Sequence, residues 1–217
     1  MTRDATSASA TGQEDLAGTL GKDLPEPGRL VNERLVLWFL VASMIYMLVA
    51  MLAGFWFSLQ FIQLYPSTGS ELLSPGRWRM VHTQAVAYGF LANAFLGALH
   101  WAVPRLALRP VLSAKLSWFI FFAWQAVVIG TVVGILGGGA QAVEWGETPV
   151  WIDPLALVGL ILVAINFLAP ILKTSGPMYV SLWYFIAAFV WTVLVYAMGN
   201  FIPEYVFSGV PAGAIAG

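Results

Sequence analysis

Five long apolar stretches, separated by short polar ones, organise this chain. No acidic or basic residue lies between Arg34 and Glu71, Arg79 and Arg105, Lys115 and Glu144, Asp153 and Lys173, or Lys173 and Glu204. Each gap can hold the roughly 20 residues that cross a bilayer as a helix. The expected spans are about 34–63, 77–104, 115–138, 153–173 and 178–201. A backbone facing lipid must satisfy its own hydrogen bonds, so each span is expected to be helical. Ser74-Pro75, Asp153-Pro154 and Gly176-Pro177 each place a tolerated N-cap residue before a proline at the first helical position. Pro170 is expected to kink the fourth span near its end. Gly137-Gly138-Gly139 should end the third span and open a loop. The pattern predicts an all-α, polytopic transmembrane bundle of five helices over residues 29–205. A polar, disordered tail over 1–28 precedes it, and a loop over 206–217 follows it.

Composition agrees with a lipid-facing surface. The chain is 59% hydrophobic and 10% charged, against about 25% charged for a soluble domain. A net charge of −1 gives no field for nucleic acid. The chain has no cysteine. This excludes disulfides, thiolate metal sites, covalent attachment of c-type haem and a cysteine-ligated copper centre, so electrons would have to come from another chain. The first 28 residues contain no apolar run of signal-peptide length. Arg3, Lys22, Arg29, Arg34, Arg105, Arg109, Lys115 and Lys173 fall on one side of the five spans. Arg77 and Arg79 fall on the other, with Glu71, Glu144, Glu147 and Glu204. The positive-inside bias then puts the N-terminus in the cytoplasm, with the chain multi-pass in the cell inner membrane. No internal repeat is visible, which weighs against an inverted-repeat transporter.

Few residues carry candidate chemistry. His82, at the outer end of the second span, is one of two histidines. An imidazole inside a bilayer is costly, and it is a frequent haem ligand. On a regular helix, Val86, Gly89 and Asn93 share its face and Ala85 flanks it, a small-residue stripe against which a flat macrocycle could lie. The same pattern also suits a histidine bonded to a neighbouring helix and close helix–helix packing. His100, on that face five turns on, reads as an interfacial histidine beside Trp101. Arg77 and Arg79 oppose both the charge bias and the dipole of the helix they begin. A local anion would remove both objections, and snorkelling toward lipid headgroups is the alternative. Glu144 and Glu147, three apart, would share a face on a helical turn. They could bind a hard cation or relay protons, or be solvated loop charges. Asp153 reads as an N-cap.

Arg77-Trp78-Arg79-Met80-Val81-His82-Thr83-Gln84-Ala85-Val86 resembles the second-helix signature of the C-family haem–copper oxidases, the cbb-type cytochrome c oxidases. Glu144-Trp145-Gly146-Glu147 with Trp151-Ile152-Asp153 is similar to that family's paired-glutamate segment, and Met178–Tyr184 looks like the start of its fifth helix. The resemblance implies the N-terminal portion of a catalytic subunit that reduces oxygen to water with electrons from membrane-bound c-type cytochromes while translocating protons. It implies His82 as an axial ligand of a low-spin haem b iron and Arg77 and Arg79 near its propionates. It also implies Glu144 as a calcium ligand and Glu147 beside the active site. The high-spin haem, the copper and most of their ligands would belong to later helices of the same subunit or to a split partner chain. Gln84 and Val143 depart from the signature, which keeps a nitric oxide reductase large subunit as an alternative. A non-catalytic membrane cytochrome b or a haem-free transporter is the alternative from another class.

Overall fold

The computed structural model describes residues 30–66, 69–143, 145–174 and 178–207. The tail over 1–28, Glu144, the Gly176-Pro177 helix start and most of 206–217 lie outside the described residues. Among the described residues there are helices and connecting segments and no strands. Five helices are long and apolar enough to cross a membrane: Glu33–Ile62, Pro75–Ala107, Ala114–Leu136, Val150–Leu172 and Val180–Tyr205.

In the first span, α1 runs over Glu33–Ser58 and continues as a tighter 3₁₀ turn to Ile62. Asn32 caps it, its side-chain oxygen accepting from the Leu35 N–H at 3.1 Å. The second span comprises α2 (Pro75–Gln84), a π-helical turn (Ala85–Leu91) and α3 (Ala92–Ala107). The third is α4 (Ala114–Leu136), and the triple glycine ends it as expected, Gly138 taking a left-handed φ of +89°. The fourth is α5 (Asp153–Leu172), entered through a 3₁₀ turn at Val150–Ile152. It continues through Pro170 and ends two residues later. In the fifth, α6 (Val180–Tyr196) is followed by a π turn (Ala197–Phe201) and the short α7 (Ile202–Tyr205).

The first span packs along the whole second span, the third bridges the second to the fourth, and the fourth packs on the fifth. One apolar core joins them, built around Phe39, Leu96, Phe121, Trp124, Phe167 and Phe189. Large apolar side chains such as Leu37, Leu48, Phe55, Phe122 and Trp191 lie on the outside, as a bilayer requires. Small residues set the closest approaches. A Cβ on Gly89 would meet the Tyr46 side chain at 2.8 Å, and one on Gly97 would meet Phe39 at 3.1 Å.

The π turn corrects the regular-helix reading of the second span. It takes more residues per turn than an α-helix, so the 100° register does not carry from His82 to His100. Three successive carbonyls in it accept side-chain donors. The Trp124 indole N–H reaches Tyr88 O at 3.0 Å, the Asn93 amide reaches Gly89 O at 2.6 Å, and the Ser43 hydroxyl reaches Phe90 O at 3.0 Å. A π turn loosens the helical ladder, and buried carbonyls freed in this way need donors from neighbours.

Candidate functional site

The segment joining the third and fourth spans folds over one end of the bundle, beside the start of the second span. Here the structure brings His82, Arg77 and Glu147 to one end.

His82 lies against α1. Its Nδ1 is 2.7 Å from the Ala50 carbonyl, which can only accept, so Nδ1 carries the hydrogen. In the neutral ring that leaves the Nε2 lone pair available. The close approach depends on Gly54, where a Cβ would stand 2.7 Å from His82 Nδ1. Phe57 packs on the ring at 5.7 Å between centroids. The stripe predicted along the helix is partly filled: Gly89 is covered by Tyr46, and Asn93 bonds Gln125 across to α4 at 2.8 Å. Those positions serve helix packing, and the space at His82 comes from Gly54 on the neighbouring helix.

His100 is enclosed within the bundle rather than exposed at its surface. It is 2% exposed, stacked on Phe39 and edge-on to Phe167, with Nδ1 donating to Leu96 O at 2.8 Å. Its Nε2 is enclosed without a donor among the described residues, whereas the His82 ring is half-buried. Both rings present the same nitrogen, and only that of His82 can be approached.

Arg77 pairs with an anion of this same chain, the exposed Glu71. Its guanidinium donates to Glu71 at 2.7 Å and to the Leu136 carbonyl at 2.7 Å. It thus begins one helix, where a cation is disfavoured, and closes the C-terminus of another, where a cation is favoured. Arg79 is exposed on the same turn.

Glu147 is not a loop charge in water. It is 2% exposed, and the Gln84 amide donates to its Oε2 at 2.5 Å. Residues 141–143 and 145–149 are not helical, and Trp145 takes a left-handed φ of +66°. Glu144, expected to share a face with Glu147, lies outside the described residues. Asp153 is likewise not a cap: it is the first residue of α5, fully buried, accepting from the Tyr196 hydroxyl at 2.8 Å and from the Gln141 amide. Reading the sequence missed Gln141 and Tyr196 altogether. Neither carries a motif, and their partners lie 12 and 43 residues away. Among the described residues no group of three or more His, Cys, Asp or Glu side chains could hold a metal ion.

A bundle of five helices, each long and apolar enough to cross a membrane, defines the class of multi-pass helical membrane proteins. The chain belongs to the family of cytochrome c and quinol oxidase polypeptide I, whose model matches residues 34–209. It is 29% identical over 183 residues to cytochrome c oxidase subunit 1 of Rhodobacter capsulatus, covering 83% of this chain and 33% of that protein. It is 26% identical over 168 residues to the cbb3-type cytochrome c oxidase subunit CcoN1 of Stutzerimonas stutzeri, covering 77% of this chain and 35% of that one. The chain therefore spans about a third of the length of these relatives. Its five long apolar helices and its family make it a multi-pass membrane protein.

Proposed function

We propose that this chain is the haem b-carrying, N-terminal portion of the catalytic subunit of a terminal respiratory oxidase. The oxidase reduces oxygen to water with electrons from a c-type cytochrome and couples this to proton translocation. The carrying observation is the His82 ring, fixed through Nδ1 on the Ala50 carbonyl with Nε2 left as a neutral ligand atom. Metal-bound histidines are commonly oriented by such a bond from the other ring nitrogen. The Nε2 atom of His82 would therefore hold the iron of a low-spin haem b, and that group would supply one-electron transfer when bound. The second ligand comes from elsewhere, because His100 is enclosed by Phe39 and Phe167.

Two histidines cannot furnish a three-histidine copper site as well. The copper and the high-spin haem accordingly belong to later helices of the same subunit or to a split partner chain. Arg77 and Arg79, in the helix that carries His82, would neutralise the propionates of a haem held by His82. Glu144 is assigned to a calcium ion and Glu147 to the vicinity of the active site. The N-terminus lies in the cytoplasm and the membrane is the cell inner membrane, as the distribution of Lys and Arg supports.

The test is spectroscopic. In the assembled complex, His82→Ala should abolish the low-spin haem b band in reduced-minus-oxidised spectra, while His100→Ala retains it. A normal band in the His82 variant refutes the assignment.

A further inference from the structure

Two carboxylates, Glu147 and Asp153, are buried where the third and fourth spans join, and a glutamine holds each in the same way. Gln84 Nε2 lies between Glu147 Oε2 at 2.5 Å and the Trp145 carbonyl at 3.3 Å. Gln141 Nε2 lies between Asp153 Oδ2 and the Thr148 carbonyl at 2.6 Å. Two acceptors around each nitrogen fix which end of each carboxamide is NH₂. Both amide oxygens then point away from the carboxylates. Each is buried with no donor among the described residues, and so is Glu147 Oε1. Acceptors outnumber donors, and among the described residues no Lys, Arg or His lies within ion-pair distance of either carboxylate. Such a cluster needs protons or hydrogen-bond donors from outside itself.

The Glu147 arm belongs to the site already described. The Asp153 arm reaches a different place. Asp153 Oδ1 accepts from the Tyr196 hydroxyl at 2.8 Å, joining the start of the fourth span to the fifth. Tyr196 in turn lines a cavity of about 660 Å³, with Tyr88, Trp124, Leu160 and Asn200 from the second to fifth spans. If the pair only clasped two helices, a neutral side chain would do so without the cost of burying an ionisable group. A carboxyl and a phenol in line, one in the buried acceptor cluster and one on a cavity wall, are instead groups that pass protons.

We propose that Asp153 and Tyr196 form a proton relay between the buried cluster of Gln84, Gln141 and Glu147 and the open-sided cavity lined by the second to fifth spans. The relay serves the proton movement of the oxidase reaction proposed above, and it rests on that reading. In one passage the Tyr196 O–H bond breaks as its proton passes to Asp153 Oδ1, forming the carboxylic acid. The phenolic oxygen takes a proton from a hydrated proton in the cavity, leaving water. One proton has then moved from cavity to carboxyl, the phenol is regenerated and no electron has moved; the reverse sequence returns it.

The test uses the assembled, haem-loaded complex and the variants Asp153→Asn, Asp153→Glu, Tyr196→Phe and Tyr205→Phe. Tyr205 is the control, since its exposed hydroxyl bonds the Val150 carbonyl at 2.8 Å at the same end of the bundle. Haem content, oxygen uptake per haem and the ratio of rates in H₂O and D₂O are measured. Asp153→Asn and Tyr196→Phe should keep their haem and lose about tenfold or more in rate, with a changed isotope ratio. Asp153→Glu should recover part of the loss, and Tyr205→Phe should match wild type. Unchanged rate and isotope ratio in both Asp153→Asn and Tyr196→Phe, beside an active wild type, overturn the relay alone. Haem lost in step with activity, at a constant rate per haem, makes the pair a clasp and also overturns it. A wild-type complex that binds haem yet takes up no oxygen overturns the oxidase reading and the relay with it.

Discussion

Gly54 decides whether His82 can sit where it does. Any side chain there would place its Cβ 2.7 Å from His82 Nδ1 and 2.9 Å from Cε1, and the ring is held by the Ala50 carbonyl on the same helix. Gly54→Ala should therefore displace the imidazole, although residue 54 is no ligand. The expected outcome is a shifted or weakened haem b band with the protein still in the membrane, followed by reduced-minus-oxidised spectroscopy; an unchanged spectrum would show that the ring has room to move. His82 was legible in the sequence because a histidine in an apolar span is conspicuous. Gly54 was not, because its role depends on which helix packs against which.

At the scale of elements, the π turn in the second span is the main departure from sequence expectation. Nothing in Ala85–Leu91 forbids a regular helix. Its register is set by donors from other spans, Ser43 on α1 and Trp124 on α4, which satisfy carbonyls that the loosened ladder releases. Buried interhelical hydrogen bonds in membrane proteins contribute about 0.6 kcal/mol each. Ser43→Ala and Trp124→Phe should each destabilise the bundle by about that amount. Because the two donors support one turn, a double-mutant cycle of unfolding in detergent should show coupling between them. Strict additivity would mean that the turn persists without its donors. Asp153 shows the same limitation from the other side. Asp-Pro at a helix start reads as a cap, yet the side chain turns inward because Gln141 and Tyr196 offer better donors than the helix N-terminus does.

For the whole molecule, the distribution of basic residues predicts sidedness. The chain has no native cysteine, so single introduced cysteines report it cleanly. Ala142 and Pro110 are exposed at opposite ends of the bundle. Ala142→Cys should react with an impermeant maleimide added from outside the inner membrane, and Pro110→Cys only after access from the cytoplasm. The reverse pattern would invert the topology. The exposed apolar side chains are equally a whole-molecule property. Trp191 and Val195 border the cavity and Phe55 and Leu52 face outward, so packing alone does not distinguish lipid from further helices as their neighbours.

The number of spans, their helical state and the membrane itself follow from the sequence alone. Twenty-residue intervals free of charge leave no other way to satisfy a backbone in lipid. The glycine stop after α4 and the proline start of α2 are also local, because backbone geometry at glycine and proline is intrinsic to those residues. Tertiary structure decided the rest. It enclosed His100 between two phenylalanines and left His82 approachable. It paired Arg77 with Glu71 and with the end of another helix, and it buried Glu147 and Asp153 against glutamines distant in sequence. A polar side chain finds its partner only when the helices have docked. Short-range pattern can therefore show that such a residue is out of place, while the identity of its partner waits for the fold.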